Sequence, residues 1–278
     1  MTLHPRLSYI ILLFIAFYSA SCSKFRKIQK SNDWELKYRA AMEYYENKEY
    51  YKASTLLEEL LPIIRGRPEA EKAQFYFAYS YYYQKQYLLS AHYFQTFFEL
   101  YSRSEYAQEA FFMYAYSLYL DSPNYNLDQS NTIEAIQAIQ TFLNKYPRSK
   151  YREQANLLID EMQVKLEEKA YQNAYLYYRL QKYLEGEGLK AALIAFENFQ
   201  NDYPDSRFNE KICYLKVECS YRIARKSIRS RQKERLERTI EYYLYFIDKF
   251  PQSPMLRDAE NIYSNCLDDL EKLNQNNL

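Results

Sequence analysis

His92 is the only histidine after Cys22 in this 278-residue chain, so imidazole chemistry would rest on it alone. A zinc site built from several histidines is therefore excluded, and a Ser-His-Asp relay would depend on one base. His92 follows Ala91 in an amphipathic stretch, where a partly exposed structural imidazole accounts for it without catalysis. The paired acids Glu58-Glu59, Glu167-Glu168 and Asp268-Asp269 fall at surface-type helical positions and read as solvated faces. No Walker-type phosphate loop occurs, and Gly186-Glu187-Gly188 follows no strand-like run, so it reads as a turn between helices. Cys213, Cys219 and Cys266 lack CxxC spacing. They read as buried thiols on helices, with a Cys213–Cys266 or Cys219–Cys266 pair left open. These residues predict a non-enzymatic protein with no metal and no cofactor.

Cys22 is the exception, because its chemistry would be done to it. A basic opening (His4, Arg6) precedes an apolar run from Leu7 to Ala20, then Ser19-Ala20-Ser21-Cys22. Charged start, short hydrophobic middle and small residues before the cut make a secretory signal over residues 1–21. The run is shorter than the about 20 apolar residues a spanning helix needs. A cysteine directly after the cut resembles bacterial lipoproteins, whose new N-terminal Cys is acylated through sulfur and amine. Ser19 stands where those signals usually carry Leu. An uncleaved anchor, or a plain signal with a chance Cys, are the other readings. Two or more acyl chains anchor a protein stably, at about 0.8 kcal/mol per buried CH₂. Residues 22–32 form a basic stem with Lys24, Arg26, Lys27 and Lys30 and no acid until Asp33. It could lie on anionic headgroups, at about 1 kcal/mol per charge, or simply be a solvated linker. In envelopes where an Asp after the cysteine retains lipoproteins at the inner membrane, Ser23 would permit transport onward to the outer one.

The remainder must be built from helices. The chain has a net charge of +1, only three glycines and 34 tyrosines. So few glycines leave little material for tight hairpins. By length it holds one or two domains. A recurring phrase organises it: aromatic, three residues, aromatic, Pro or Ser, any residue, Ser. It appears at Phe142…Tyr146-Pro147-Arg148-Ser149, Phe199…Tyr203-Pro204-Asp205-Ser206 and Phe246…Phe250-Pro251-Gln252-Ser253, and more weakly at Phe97…Tyr101-Ser102-Arg103-Ser104. Seven residues before each leading Phe stands a small or short side chain (Ser90, Ala135, Ala192, Thr239), and three before it a bulky one (Phe94, Ile139, Phe196, Tyr243). Offsets of 3, 4 and 7 place all of these on one helical face. Pro then stops the helix, and the Ser can cap the next. The first unit keeps Ala53, Leu57 and Leu60 but has Arg65 in place of Pro.

Each such helix follows another amphipathic one, so that Ala41, Tyr44, Tyr50, Ala53 and Leu57 correspond to Ala78, Tyr81, Tyr87, Ser90 and Phe94. This resembles the tetratricopeptide (TPR) repeat. The leading Phe residues are 45, 57 and 47 apart, beyond the about 34 of the plain repeat, which implies longer helices and connections. The prediction is an all-α, TPR-like α-solenoid of about five helix-turn-helix units, with a C-terminal capping helix near residues 254–273. A single pair cannot bury its apolar face, whereas a stack can. Residues 33–149 would hold repeats 1–3 and residues 150–278 repeats 4–5 with the cap.

Two constellations suit binding. In the repeat register the inner helices aim Tyr38, Met42 and Tyr45, then Phe75, Tyr79, Tyr82 and Tyr83, then Phe112, Tyr116 and Tyr119 into a groove. Tyrosine offers a flat apolar face and a hydroxyl at low entropic cost, which suits gripping an extended peptide. Core packing would use the same rings equally well. The second constellation is basic: Arg222, Arg225, Lys226, Arg229, Arg231, Lys233, Arg235 and Arg238 against Glu234 and Glu237. An exported, near-neutral protein has no evident use for nucleic acid, so an acidic protein surface, paired through Arg forks, or plain solvation are the readings here.

Together these residues resemble the BamD family, the lipoprotein subunit of the β-barrel assembly machinery. The most specific stretch is Leu127-Asp128-Gln129-Ser130-Asn131-Thr132 with Ala135-Ile136, where many members read Asp-Pro for Asp128-Gln129. Ala174-Tyr175-Leu176-Tyr177-Tyr178 is similar to the family's Val-Ala-x-Tyr-Tyr. The resemblance implies an outer-membrane protein lipid-anchored at the periplasmic face through Cys22. Its first half would receive the aromatic-ended tails of unfolded outer-membrane proteins. Its second half would dock on the POTRA domains of the barrel subunit BamA, through Tyr221 and Arg222, which match a Tyr-Arg pair in the family helix, with Arg225 and Arg229 nearby. Two other classes stay open: a TPR scaffolding lipoprotein of cell-wall or division machinery, and an accessory glycan-capture lipoprotein.

Overall fold

The computed structural model describes residues 24–181 and 187–275; the expected signal segment, residues 1–21, and Cys22 lie outside them. Among the described residues eleven helices longer than two turns follow one another: α1 (Trp34–Glu46), α2 (Tyr50–Leu60), α3 (Pro68–Tyr83), α4 (Tyr87–Leu100), α5 (Ala107–Asp121), α6 (Ser130–Lys145), α7 (Arg152–Leu180), α8 (Glu187–Asp202), α9 (Asn209–Arg225), α10 (Arg229–Lys249) and α11 (Leu256–Gln275). Among the described residues there is no strand. The architecture is an all-α, TPR-like repeat of five helix pairs and a terminal helix. The chain divides into two compact units, one ending at Met162 and one beginning at Gln163, a division that falls within α7.

The repeated phrase explains both helices of each pair. Ser90, Ala135, Ala192 and Thr239 are completely buried, as are Phe94, Ile139 and Phe196, with Tyr243 nearly so. Phe97, Phe142, Phe199 and Phe246 complete the buried face. Each such ring removed from water contributes about 1.5–3 kcal/mol. Ala53, Leu57 and Leu60 form the same face in the first pair.

The helix then ends in one turn, used four times. The Ser amide donates to the carbonyl of the aromatic three residues back, at 2.9 Å (Ser104), 3.0 Å (Ser149), 3.2 Å (Ser206) and 3.1 Å (Ser253). The Ser hydroxyl accepts from the amide two residues on, in Tyr106, Tyr151, Phe208 and Met255. That bond satisfies a donor that the start of the next helix leaves open. Three of those next residues are aromatic, and each folds back over the inner helix of the preceding pair. Tyr106 stacks on Phe75 (centroids 4.7 Å apart), Tyr151 on Phe112 (4.3 Å) and Phe208 on Tyr171 (4.1 Å). In the first pair Gly66 makes the turn at φ +83, which the missing Cβ permits. There the Arg67 guanidinium covers the Trp34 ring at 4.4 Å.

Two segments depart from the sequence expectation. Glu187 and Gly188 belong to the first turn of α8 rather than to a loop, while Gly186 lies outside the described residues. Residues 24–29 are helical and packed, where the sequence admits a solvated linker. The reason is spacing: Phe25 and Ile28 share a face, with Ile28 buried in the first pair's core and Phe25 edge-on to Tyr44 at 5.7 Å.

Candidate peptide-binding strip and basic helix

In the first unit the inner helices α1, α3 and α5 carry the tyrosines at offsets of three and four, so that they form a connected strip. Tyr45 lies 4.5 Å from Tyr76 and 6.2 Å from Tyr83, ring to ring. Tyr83 stacks on Tyr50 at 4.5 Å and on Tyr79 at 5.9 Å. Tyr82 reaches Tyr116 at 6.3 Å, and Tyr116 stacks on Tyr119 at 5.8 Å. Tyr38 and Met42 pack half-buried against the core of the first pair. Tyr83, at 47% exposure, is the most open of the predicted groove residues.

Hydroxyls tie the strip across the repeats. Tyr79 donates to Glu109 Oε1 at 2.6 Å, and Tyr151 donates to Glu109 Oε2 at 3.0 Å. Tyr119 donates to Glu161 at 2.5 Å. Burial first, then the Glu109 bond, pushes the Tyr79 hydroxyl far above the usual tyrosine range. Burial also raises Tyr45, with neighbouring tyrosine hydroxyls adding to it. Tyr119 is pushed up to about 12, chiefly by its bond to Glu161, since losing the proton would set two negative charges together.

Phe75 and Phe112 are corrections. Both are buried, because Tyr106 and Tyr151 close over them, and neither offers a ring to a ligand. Sequence reading also misses Glu109, Tyr50, Tyr76 and Tyr151. For Tyr151 a signal exists: extending the repeated phrase two residues past its Ser reaches Tyr106, Tyr151 and Phe208.

In the second unit the four predicted partner residues divide. Tyr221 donates to Asp269 of α11 at 3.2 Å, and Arg225 Nε stands 4.0 Å from the same carboxylate. Burial raises the Tyr221 hydroxyl, and Asp269 adds to it. Arg225 and Arg229 line a cleft of about 340 Å³ with Gln232, Leu236, Asp269 and Lys272. Arg222 stands apart from this group. Its guanidinium pairs with Glu218 at 3.1 Å, and Glu218 also accepts the Tyr178 hydroxyl at 3.0 Å. His92 is exposed on α4 beside Tyr93, with ring centroids 5.2 Å apart. Cys213, Cys219 and Cys266 are buried free thiols.

The family model described as YfiO, outer membrane lipoprotein, matches residues 30–186, more than half of the chain. The chain belongs to the YfiO family of outer membrane lipoproteins. The match runs from α1 through α7, so the whole tyrosine strip falls inside the YfiO region. The basic helix start at Arg229 and the Asp269 cleft lie beyond it. A comparison with curated proteins finds no match. Among the described residues, no helix is long and apolar enough to cross a membrane.

Proposed function

We propose that this YfiO-family lipoprotein acts as BamD does, as a non-enzymatic subunit of the β-barrel assembly machinery. The inner helices of repeats 1–3 hold the aromatic-ended tails of unfolded outer-membrane proteins. The basic segment from Arg222 to Arg238 docks on acidic POTRA domains of a BamA-type subunit, which promotes folding and insertion of the barrel. An acyl group on Cys22 holds the protein at the periplasmic face of the outer membrane.

The observation that carries this reading is the tyrosine strip of α1, α3 and α5, inside the family-matched region, with Tyr83 open and Tyr50 stacked on it. Rings of this kind grip apolar side chains while their hydroxyls reach backbone groups. The strip needs no reactive group to do so. Recovery of the tagged protein from detergent-solubilised envelopes tests the assignment. Co-purification of a BamA-type barrel subunit supports it. Recovery of division or wall proteins, or of a glycan transporter in its place, overturns it.

A further inference from the structure

The short helix at residues 24–29 has two faces of different chemistry. Its inner face is fixed to the first repeat: Ile28 is buried, Phe25 meets Tyr44, and Gln29 Nε2 donates to Glu59 Oε1 at 2.8 Å. Glu59 is itself held by the nearly buried Lys37, whose ammonium lies 2.7 Å from Oε2. This pairing draws the Glu59 carboxyl below its usual range, first through the Lys37 bond and then through Gln29. The connection onward is also closed. Ser31 N donates to the Ile28 carbonyl at 3.0 Å, Asp33 N donates to the Ser31 hydroxyl at 3.1 Å, and Asp33 caps α1 through Leu36 N at 3.0 Å.

The outer face carries Lys24, Arg26, Lys27 and Lys30, all exposed. No acid lies between residues 24 and 32, and none of the four forms an ion pair among the described residues. We propose that this helix is a rigid strut. It lays its four cations on anionic phospholipid headgroups and, through the Phe25–Ile28–Gln29 clamp, sets the orientation of the first repeat against the membrane.

Charge complementarity and reach support a lipid surface as the partner. Cys22 is two residues before Lys24, and two residues span at most about 7 Å. A lipid anchor there leaves no slack for a loose tether. The proposal deepens the lipoprotein reading, and it rests on that reading only for the anchor.

The test uses the mature protein, without residues 1–21, in two arms. In the first, Cys22→Ser removes the acylation site, and binding is measured to vesicles of phosphatidylcholine with and without phosphatidylglycerol. Binding is expected only with the anionic lipid. It should weaken by about fivefold per charge removed in the Lys24→Gln, Arg26→Gln, Lys27→Gln, Lys30→Gln variant. Equal binding by that variant overturns the proposal. Charge-dependent binding supports it even if mass spectrometry finds Cys22 unmodified, a result that would fail the anchor reading alone.

In the second arm the lipidated protein, labelled at Arg103→Cys, reports energy transfer to an acceptor at the headgroups. A narrow distribution of distances is expected. Phe25→Ala with Ile28→Ala should broaden it while vesicle affinity changes less than twofold. Gln29→Ala provides a milder release, and circular dichroism checks that both variants fold. Equal breadth with and without the clamp overturns the orienting role.

Discussion

Tyr79 of α3 donates its hydroxyl to Glu109 of α5 at 2.6 Å, so a predicted peptide-gripping ring is also a bolt between the second and third repeats. The same carboxylate takes the Tyr151 hydroxyl on its other oxygen. A hydrogen bond to a charged acceptor contributes about 1.5–3 kcal/mol. Glu109→Ala should therefore lower stability in urea by about 3 kcal/mol, because it strands two hydroxyls. Glu109→Gln keeps an acceptor and should cost about half as much. A Glu109→Ala protein as stable as the parent would show that water replaces the carboxylate.

Ligand binding and stability should separate along the strip. Tyr83→Ala removes an exposed ring and is expected to weaken binding of a peptide ending in Phe by about tenfold. Its stability should fall by only about 1–2 kcal/mol, the worth of its stacks on Tyr50 and Tyr79. Phe112→Ala empties a core site beneath Tyr151 and should cost about 3–5 kcal/mol. Peptide titration and thermal melts on the two variants check this pairing of effects.

The tyrosines also set an alkaline limit. Tyr81, Tyr119 and Tyr242 have hydroxyls pushed up to about 12, against about 10 in an unfolded chain. Below about pH 10 both states keep the proton and the stabilisation is complete. Between about pH 10 and 12 the unfolded chain ionises first, so it binds fewer protons and stability falls as pH rises. Urea midpoints should hold up to about pH 10 and then drop, in step with tyrosinate absorbance. A midpoint flat through that window would refute the assignment.

For the partner face, Arg225→Gln with Arg229→Gln should reduce recovery of the barrel subunit with little change in melting temperature, since both residues are exposed at the cleft. Arg222→Glu differs. It would set a second carboxylate beside Glu218, and it should lower stability as well as recovery. Recovery unchanged in the double variant would remove the cleft from the interface.

The four turn serines offer a graded series. Ser206 caps Phe208 N at 3.0 Å and also donates to Glu167 at 2.6 Å, whereas Ser253 caps Met255 N at 3.2 Å. Loss of a cap costs about 1 kcal/mol. Ser206→Ala should exceed Ser253→Ala by roughly another 1 kcal/mol in chemical denaturation.

The helical pairs were legible because Ser90, Phe94 and Phe97 stand in the same relation as Ala192, Phe196 and Phe199, and period alone encodes a face. The strip was partly legible. Tyr79, Tyr83 and Tyr116 follow from register, but Phe75 and Phe112 have identical register and are sealed by rings from a later turn. No local pattern reports such a closure. Glu109 was illegible for the same reason, its two partners lying 30 and 42 residues away. Arg222 and Arg225 are equally basic in sequence, and only the positions of Glu218 and Asp269 tell them apart.

The rings that close over Phe75, Phe112 and Tyr171 each come from the segment translated just after the pair they cover. A hairpin emerging on its own would still show an uncovered aromatic to its surroundings. It gains its cover only when the next few residues arrive. Folding should thus proceed like a zip fastener from the first pair onward, with one oily gap exposed at a time and handed forward as the chain lengthens.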